Sequence, residues 1–350
     1  MATPSAFQPS AGNHGEEEFE RSLRPRSFRE FLGQDRILEP LQVMIQAAAQ
    51  RSETLEHLLF SGLPGLGKTS LALTLADEIG APLKMTSGPA LERARDLVGI
   101  LSSLERGTVL FIDEIHRLPR VVEEYLYGAM ERFQIEFTLD QGMHARMLRL
   151  DVQPFTLVGA TTREALLSAA FRSRFGHTLR FEPYEPAALR LILQRSAGLL
   201  RTRVSTQALD LLAENARGSP RIANRLLRRA RDVAQVEHAS PRGSDSEDIQ
   251  AEIDPAVVQR TFELLGIDGH GLERADRRIL EALALAAGRP LGLKNLAVAV
   301  GESEESLEEV YEPWLIQQGL LARTPQGRIL QAPGWSLLGL SPPESASELR

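Results

Sequence analysis

One stretch of the chain limits what it can fold into more than any other. Gly62-Leu-Pro-Gly65-Leu-Gly67-Lys68-Thr69 fits the pattern GxxxxGK[ST], and the apolar run HLLFS (57–61) stands directly before it. Such a loop needs a strand to enter it and a helix to leave it. Its backbone N–H groups and the helix N-terminus together cradle phosphate oxygens. Gly62, Gly65 and Gly67 let those groups turn inward, and Lys68 is a point charge for the β and γ oxygens. Thr69 offers a hydroxyl to Mg2+, and Ser70 follows it in the first helical turn. A glycine-rich turn with a chance lysine would meet the pattern too, so a second block matters. TVLFIDE (108–114) is an apolar strand ending in two carboxylates, 45 residues after Lys68. Asp113 is suited to holding the Mg2+ shell and Glu114 to polarising the attacking water. Together the blocks imply an ATP site in an α/β domain.

Two further features extend the site. Gly159-Ala-Thr161-Thr162-Arg163 ends the next apolar strand, and Thr162 is the side chain assigned to the γ-phosphate or the lytic water. Phe171-Arg172-Ser173-Arg174-Phe175-Gly176 then presents two arginines just before the last strand. Either could be a plain surface charge. Either could also be supplied to a neighbour's γ-phosphate, a role worth about 10³–10⁵ in rate in GTPases, which would require an oligomer.

From residue 21 to 183, short apolar runs (57–61, 108–112, 155–160) alternate with helical patterns at 34–50, 68–79 and 119–132. That alternation predicts a mostly parallel sheet with helices on both faces. It is interrupted by runs at 134–139 and up to Leu150 that read as a protruding β-hairpin carrying Met147, Leu148 and Leu150. Over 184–253 the strand signal stops, and patterns at 186–199, 205–216 and 219–237 predict a small helical domain. SPRGSDSEDIQAE (240–252) reads as a loop that tolerates insertion. From 254 to 341, helices near 255–264, 274–287, 292–300 and 303–318 precede LLARTPQGRILQ, two short strands around a turn. Helices followed by a two-stranded ribbon is the order of a winged helix. Residues 1–20 and 342–350 read as frayed tails.

Composition narrows the partners. With 43% hydrophobic and 25% charged residues the 350-residue chain is of ordinary globular make-up, enough for several cores. No cysteine is present, which excludes disulfides and thiol nucleophiles, and the seven histidines show no metal-ligand spacing. No apolar run approaches the roughly eighteen residues of a membrane span, and the acidic start lacks a secretion signal. The expectation is a cytoplasmic protein with no membrane partner. The net charge of −7 argues against a coat of nucleic acid held by bulk electrostatics, so DNA contact would need a local basic patch.

The blocks GLPGLGKTS, TSGPALE, VLFIDEIHRLPRVVEE, PFTLVGATTR, RSRFG, RGSPRIANRLLRRARD and EPWLIQQGLLARTPQGR, in this order over about 21–341, resemble the RuvB family of bacterial AAA+ motors. The resemblance implies an AAA+ P-loop parallel-sheet core, a helical lid and a C-terminal winged helix. It also implies an ATP-driven homohexameric ring that pumps duplex DNA to branch-migrate Holliday junctions in recombination and repair, with RuvA and RuvC as partners. Carried over by position, Lys68, Thr69, Asp113 and Glu114 are the nucleotide and Mg2+ residues and Thr162 is the sensor. Arg174 is favoured over Arg172 as the finger acting in trans. Arg221, in Ser219-Pro220-Arg221, resembles the lid arginine that reaches the nucleotide. Leu23 and Arg24, with Pro25 and Tyr184, resemble the adenine pocket. Residue physics alone would have put Arg24 at the surface and Tyr184 in a core. Leu148 and Leu150 resemble the anchors for RuvA.

Over 254–350 the chain carries 14 acidic and nine basic residues. A helix at 303–318 with Glu304, Glu305, Glu308 and Glu309 would repel phosphate, so sequence reading by that helix is not expected. Arg323 and Arg328, flanking the turn, are the expected sequence-independent grip. The family usually reads RTPRGR here, and Gln326 replaces the middle arginine. Two rivals keep the same motifs: a clamp-loader-like switch that acts on DNA without translocating, and an ATP-gated scaffold that has lost DNA contact.

Overall fold

The computed structural model describes residues 18–138, 147–238 and 252–343. The chain divides into two compact units that part after Tyr184. In the first, α1 (Asp35–Arg51) leads into β1 (Leu58–Ser61), α2 (Lys68–Ile79), β2 (Leu83–Ser87), α3 (Ala94–Leu101), β3 (Val109–Asp113) and α4 (Arg120–Arg132). After a hairpin of β4 (Gln134–Thr138) and β5 (Met147–Asp151) come β6 (Thr156–Thr161), α5 (Ala169–Arg172) and β7 (His177–Arg180). Five strands form one parallel sheet in the order β2-β3-β6-β1-β7.

The sheet's centre follows from its sequence. The strand residues of β1, β3 and β6 are buried, apart from Asp113 at the end of β3, because helices cover both faces. Phe60, Phe111, Phe155 and Phe171 are fully buried, and truncating any one to alanine would cost about 3–5 kcal/mol. The edge strands differ. β2 (LKMTS) and β7 (HTLR) are partly exposed and carry polar residues, so neither makes a continuous apolar run. The alternation at 57–160 predicts the central strands and misses β2 and α3.

His57 ties the sheet to α4. Its Nδ1 accepts from the Leu157 N–H at 2.9 Å, and its Nε2 donates to the Met130 carbonyl at 3.1 Å. Both nitrogens are used by a neutral ring, and burial pushes its pKa below the ordinary value of 6.5.

In the second unit, α6 (Pro186–Leu199), α7 (Thr206–Glu214) and α8 (Pro220–His238) pack through Leu189, Leu193, Leu212, Ala223, Leu226 and Leu227. α9 (Pro255–Leu265), which the sequence assigns to the third domain, lies against α7 and α8. Its leading residue Ile253 bridges to Val204, and its buried Val257, Val258 and Phe262 supply the apolar contact. The winged helix comprises α10 (Arg274–Leu285), α11 (Leu293–Val300), α12 (Glu304–Ser306), a π turn (Leu307–Tyr311), α13 (Glu312–Gln317), the antiparallel pair β8 (Leu321–Thr324) and β9 (Gly327–Leu330), and α14 (Ala332–Leu337). The continuous helix expected at 303–318 is therefore broken. Pro313 cannot donate the N–H that an α-helix would give the Glu309 carbonyl, and the ladder widens. The π turn sets Leu307 and Glu312, five residues apart, on the inward side.

The tail at 1–17, the loop at 239–251, the hairpin tip at 139–146 and residues 344–350 lie outside the described residues. No described helix is long and apolar enough to cross a membrane.

The His57 geometry generates a prediction. Below about pH 6.5 the unfolded chain binds a proton that the folded ring refuses, so stability should fall as pH drops through that value. Thermal unfolding between about pH 5.5 and 7.5 should show this slope, and His57→Gln should reduce it. An equal slope in both proteins would assign it to other groups.

Candidate functional site

The nucleotide site is built by strand register. Ser61 of β1 pairs with Thr161 of β6, and Ile112 of β3 pairs with Gly159. The loop after β1, the carboxylates after β3 and the threonines ending β6 thus emerge at one level on the sheet's carboxyl edge, where open α/β sheets bind ligands. The Gly62 N–H donates to the Thr161 carbonyl at 3.2 Å, fastening the loop to the sensor strand.

The loop has the shape a phosphate requires. Gly67, at φ 98°, turns the chain into the first turn of α2, where helical N–H groups have no intrahelical partner. A Cβ at Gly67 would stand 3.2 Å from the Phe31 ring. Lys68 is buried, and its Nζ donates to the carbonyls of Gly62 at 2.7 Å and Leu63 at 2.8 Å. Gly65, Thr69 and Ser70 are half-buried beside it.

Opposite lies a tightly held acidic turn. Asp113 Oδ1 accepts the Glu114 N–H at 2.9 Å, and Glu114 adopts a left-handed φ of 46°. Left-handed backbone is costly for a non-glycine residue and persists where the surroundings over-determine it. Here a 3-10 turn follows, and Gly88 after β2 gives the turn room. A Cβ on Gly88 would meet the Glu114 carbonyl oxygen at 2.4 Å. Arg117 Nη1 donates to Glu114 Oε2 at 3.0 Å, so the carboxylate expected to polarise water is ion-paired in this state.

The threonines divide their work. Thr161 is buried, and its hydroxyl accepts from the Arg163 N–H at 3.0 Å and shares a second hydrogen bond with His116 Nδ1 at 2.9 Å. Burial holds the His116 pKa below the ordinary histidine value. Thr162, the expected sensor, is half-buried beside it. His116 and Arg117 were not singled out by sequence reasoning, because a single polar side chain on a short turn leaves no periodic signal.

The adenine-side residues also have defined places. Leu23 is buried and Arg24 half-buried, while the Pro25 carbonyl accepts from Thr74 of α2 at 3.1 Å. Tyr184 is buried, its hydroxyl donating to the Leu66 carbonyl at 3.3 Å, and burial pushes its pKa up. Buried Gln34, which donates to the Glu182 carbonyl at 2.8 Å, and Phe31 complete this wall. Sequence reading did not single out either.

Other expected residues have contacts of their own. Arg174, just after α5, packs against α4, 3.0 Å from Glu131 and 4.2 Å over the Tyr127 ring, with its Nη1 donating to the Ala170 carbonyl. Arg172 is exposed. Arg221 is exposed in the first turn of α8, in the second unit. Leu150 pairs with buried Ile135 and packs half-buried against the core; the side chains of Met147 and Leu148 lie outside the described residues. On the wing, Arg323 Nε and Arg328 Nε donate to fully buried Glu312 at 2.6 and 2.7 Å, and Arg328 adds Glu308 at 3.0 Å. The Arg328 side chain is 12% exposed against 46% for Arg323. Arg328 is drawn inward, where the sequence reading expected both to face phosphate.

Three family models match successive parts of the chain between residues 23 and 339. They are the Holliday junction DNA helicase RuvB P-loop domain over 23–181, the RuvB AAA lid domain over 184–268 and the RuvB C-terminal winged helix domain over 269–339. The Holliday junction branch migration complex subunit RuvB of Streptomyces avermitilis is 46% identical over 339 residues, 97% of this chain and 92% of that protein. The protein of the same name from Mycobacterium tuberculosis is 48% identical over 335 residues, 95% of this chain and 94% of that one. Among solved structures, the Thermotoga maritima RuvB Holliday junction branch migration motor superposes with a TM-score of 0.81 at 43% identity, covering 92% of this chain and all of that one.

Two substitutions separate binding from chemistry at this edge. Lys68→Ala should weaken ATP binding on the order of 100-fold, about 2.8 kcal/mol. Gly88→Ala should leave binding within about three-fold but lower turnover by at least about ten-fold, because the Glu114 turn must shift. Titration with a fluorescent ATP analogue and steady-state hydrolysis check both; unchanged turnover in Gly88→Ala would dissociate that turn from the chemistry.

Proposed function

The chain belongs to the RuvB family, and on that footing we propose that it is an ATP-hydrolysing ring motor that drives branch migration of Holliday junctions. The observation that carries the reading is the meeting of the Lys68 loop, the Asp113–Glu114 turn and the Thr161–Thr162 strand end at one edge of a parallel sheet. The chain adds a winged helix to that site. A clamp-loader-like switch is not retained, since P-loop, lid and winged helix all match RuvB models.

The chain's own groups divide the chemistry. The loop N–H groups and Lys68 hold the phosphates, and Tyr184, Leu23 and Arg24 line the base side. Thr69 and Asp113 fit Mg2+, being a hydroxyl and a carboxylate of the hard oxygen type that ion takes. The ion, when bound, supplies charge neutralisation between the phosphates. Glu114 orients and deprotonates water once its carboxylate leaves Arg117. Thr162 reads the γ-phosphate, with Thr161 and His116 fixing the strand end behind it.

Arg174 of one subunit completes the neighbour's site in a homohexamer, its guanidinium held ready by Tyr127 and Glu131. Arg221 contacts the nucleotide from the lid, so that hydrolysis changes the angle between core and lid. Arg323 supplies the exposed phosphate contact of the wing, and Arg328 braces it through Glu312. RuvA docks on the β4–β5 hairpin through Leu148 and Leu150, and RuvC joins the same complex on the junction. The setting is the bacterial cytoplasm, where chromosomal DNA is recombined and repaired.

The test is ATP hydrolysis on a synthetic four-way junction with RuvA, followed together with separation of the junction arms. The expected result is hydrolysis coupled to arm separation, both lost in Lys68→Ala. Arg174→Ala should bind ATP normally yet lose about 10³-fold in turnover. Hydrolysis without arm separation would overturn the motor reading, and normal turnover in Arg174→Ala would remove that residue from the neighbour's site.

A further inference from the structure

The turn between α7 and α8 holds a residue that neither catalysis nor DNA contact explains. Arg217 has a left-handed φ of 53° and precedes Gly218 at φ 69°. A non-glycine residue is strained there, so something must hold it. Its side chain is 7% exposed and its Nη2 lies 2.5 Å from Oδ2 of Asp276, which is fully buried. The same nitrogen donates to the Gly271 carbonyl at 3.0 Å and stands 3.7 Å from Glu273. The guanidinium carbon lies 4.4 Å over the Trp314 ring.

These partners belong to separate parts of the winged helix. Gly271 precedes α10, Asp276 lies in its first turn, and Trp314 sits on α13. Asp276 Oδ2 also accepts the Glu273 N–H at 2.8 Å, so the carboxylate that receives Arg217 caps α10 as well. Arg225 of α8 adds an outer tie to Glu273 at 3.5 Å. One planar guanidinium from the lid thus holds two winged-helix segments, the first through Nη2 and the second through its face over Trp314, a task that suits arginine and not lysine. The pair is shielded from water, so loss of either member strands a buried charge. Four residues on, the same turn delivers Arg221, the proposed nucleotide contact.

We propose that Arg217 is the positioning residue that locks lid and winged helix into one body, converting nucleotide-driven movement of the lid into movement of the DNA-holding domain. The inference rests on the motor reading above. It differs from a plain stability role in what it predicts: stability alone sets how much folded ring there is, whereas a joint sets how much DNA moves per ATP.

The experiment uses full-length protein with RuvA on a four-way junction, measuring DNA-free ATP turnover, arm separation per ATP hydrolysed and thermal unfolding. Arg217→Ala should keep DNA-free turnover within about two-fold while arm separation per ATP falls at least about ten-fold. Arg217→Lys keeps the charge without the planar guanidinium, so it should restore most of the melting temperature and less than half of the coupling. Unchanged arm separation per ATP in either folded variant overturns the inference, as does coupling that recovers fully in Arg217→Lys. If Arg217→Ala does not fold, Arg217→Lys decides by the same ratio. Failure of the unsubstituted protein to separate arms would instead strike the motor reading itself.

Discussion

The site depends on one constraint: three buried parallel strands must end at the same height. β1, β6 and β3 are held level by hydrogen-bond register and by the burial of both their faces, so neither slippage nor tilt is available to them. Phosphate loop, sensor strand and acidic turn inherit their mutual positions from that level edge. The left-handed turn at Glu114 is affordable on the same account, since rigid strands on both sides of β3 leave it no room to relax.

Electrostatics in the winged helix look different from inside than from a charge count. Nine basic residues against 14 acidic suggest a surface that repels DNA. Yet Glu312 faces inward and is neutralised by Arg323 and Arg328, with Glu308 as a further partner. Part of the acidity is consumed in joining wing to helix. Beside this helix and ribbon, exposed charge sits on Glu304, Glu305 and the outer side of Arg323, while Glu281, Arg289 and Lys294 are exposed elsewhere in the domain.

What the sequence disclosed follows signal strength. Central strands are legible because burial on both faces leaves an unbroken apolar run, and Lys68, Thr69, Asp113 and Glu114 because their spacing is dictated by phosphate geometry. β2 escapes because an edge strand keeps polar residues. Gln34 and His116 escape because their partners, Glu182 and Thr161, come from elements that local pattern does not bring together. Arg328 looks exposed in a polar ribbon; its inward turn depends on Glu312, which a helical period alone would have placed elsewhere.

That last dependence reaches further. With Pro313 at its root, the π turn at Leu307–Tyr311 adds one residue to the helical count, and only with that extra residue do Leu307 and Glu312 share a face. Without the extra residue, Glu312 would lie roughly 100° further round the helix and no longer beside Leu307. Two arginines would then lose their buried counter-charge, and the ribbon would turn from a neutral brace into a cationic arm. In this fold, residue count along a single helix sets which way Glu312 faces, and with it whether the ribbon arginines are neutralised or left as bare charge.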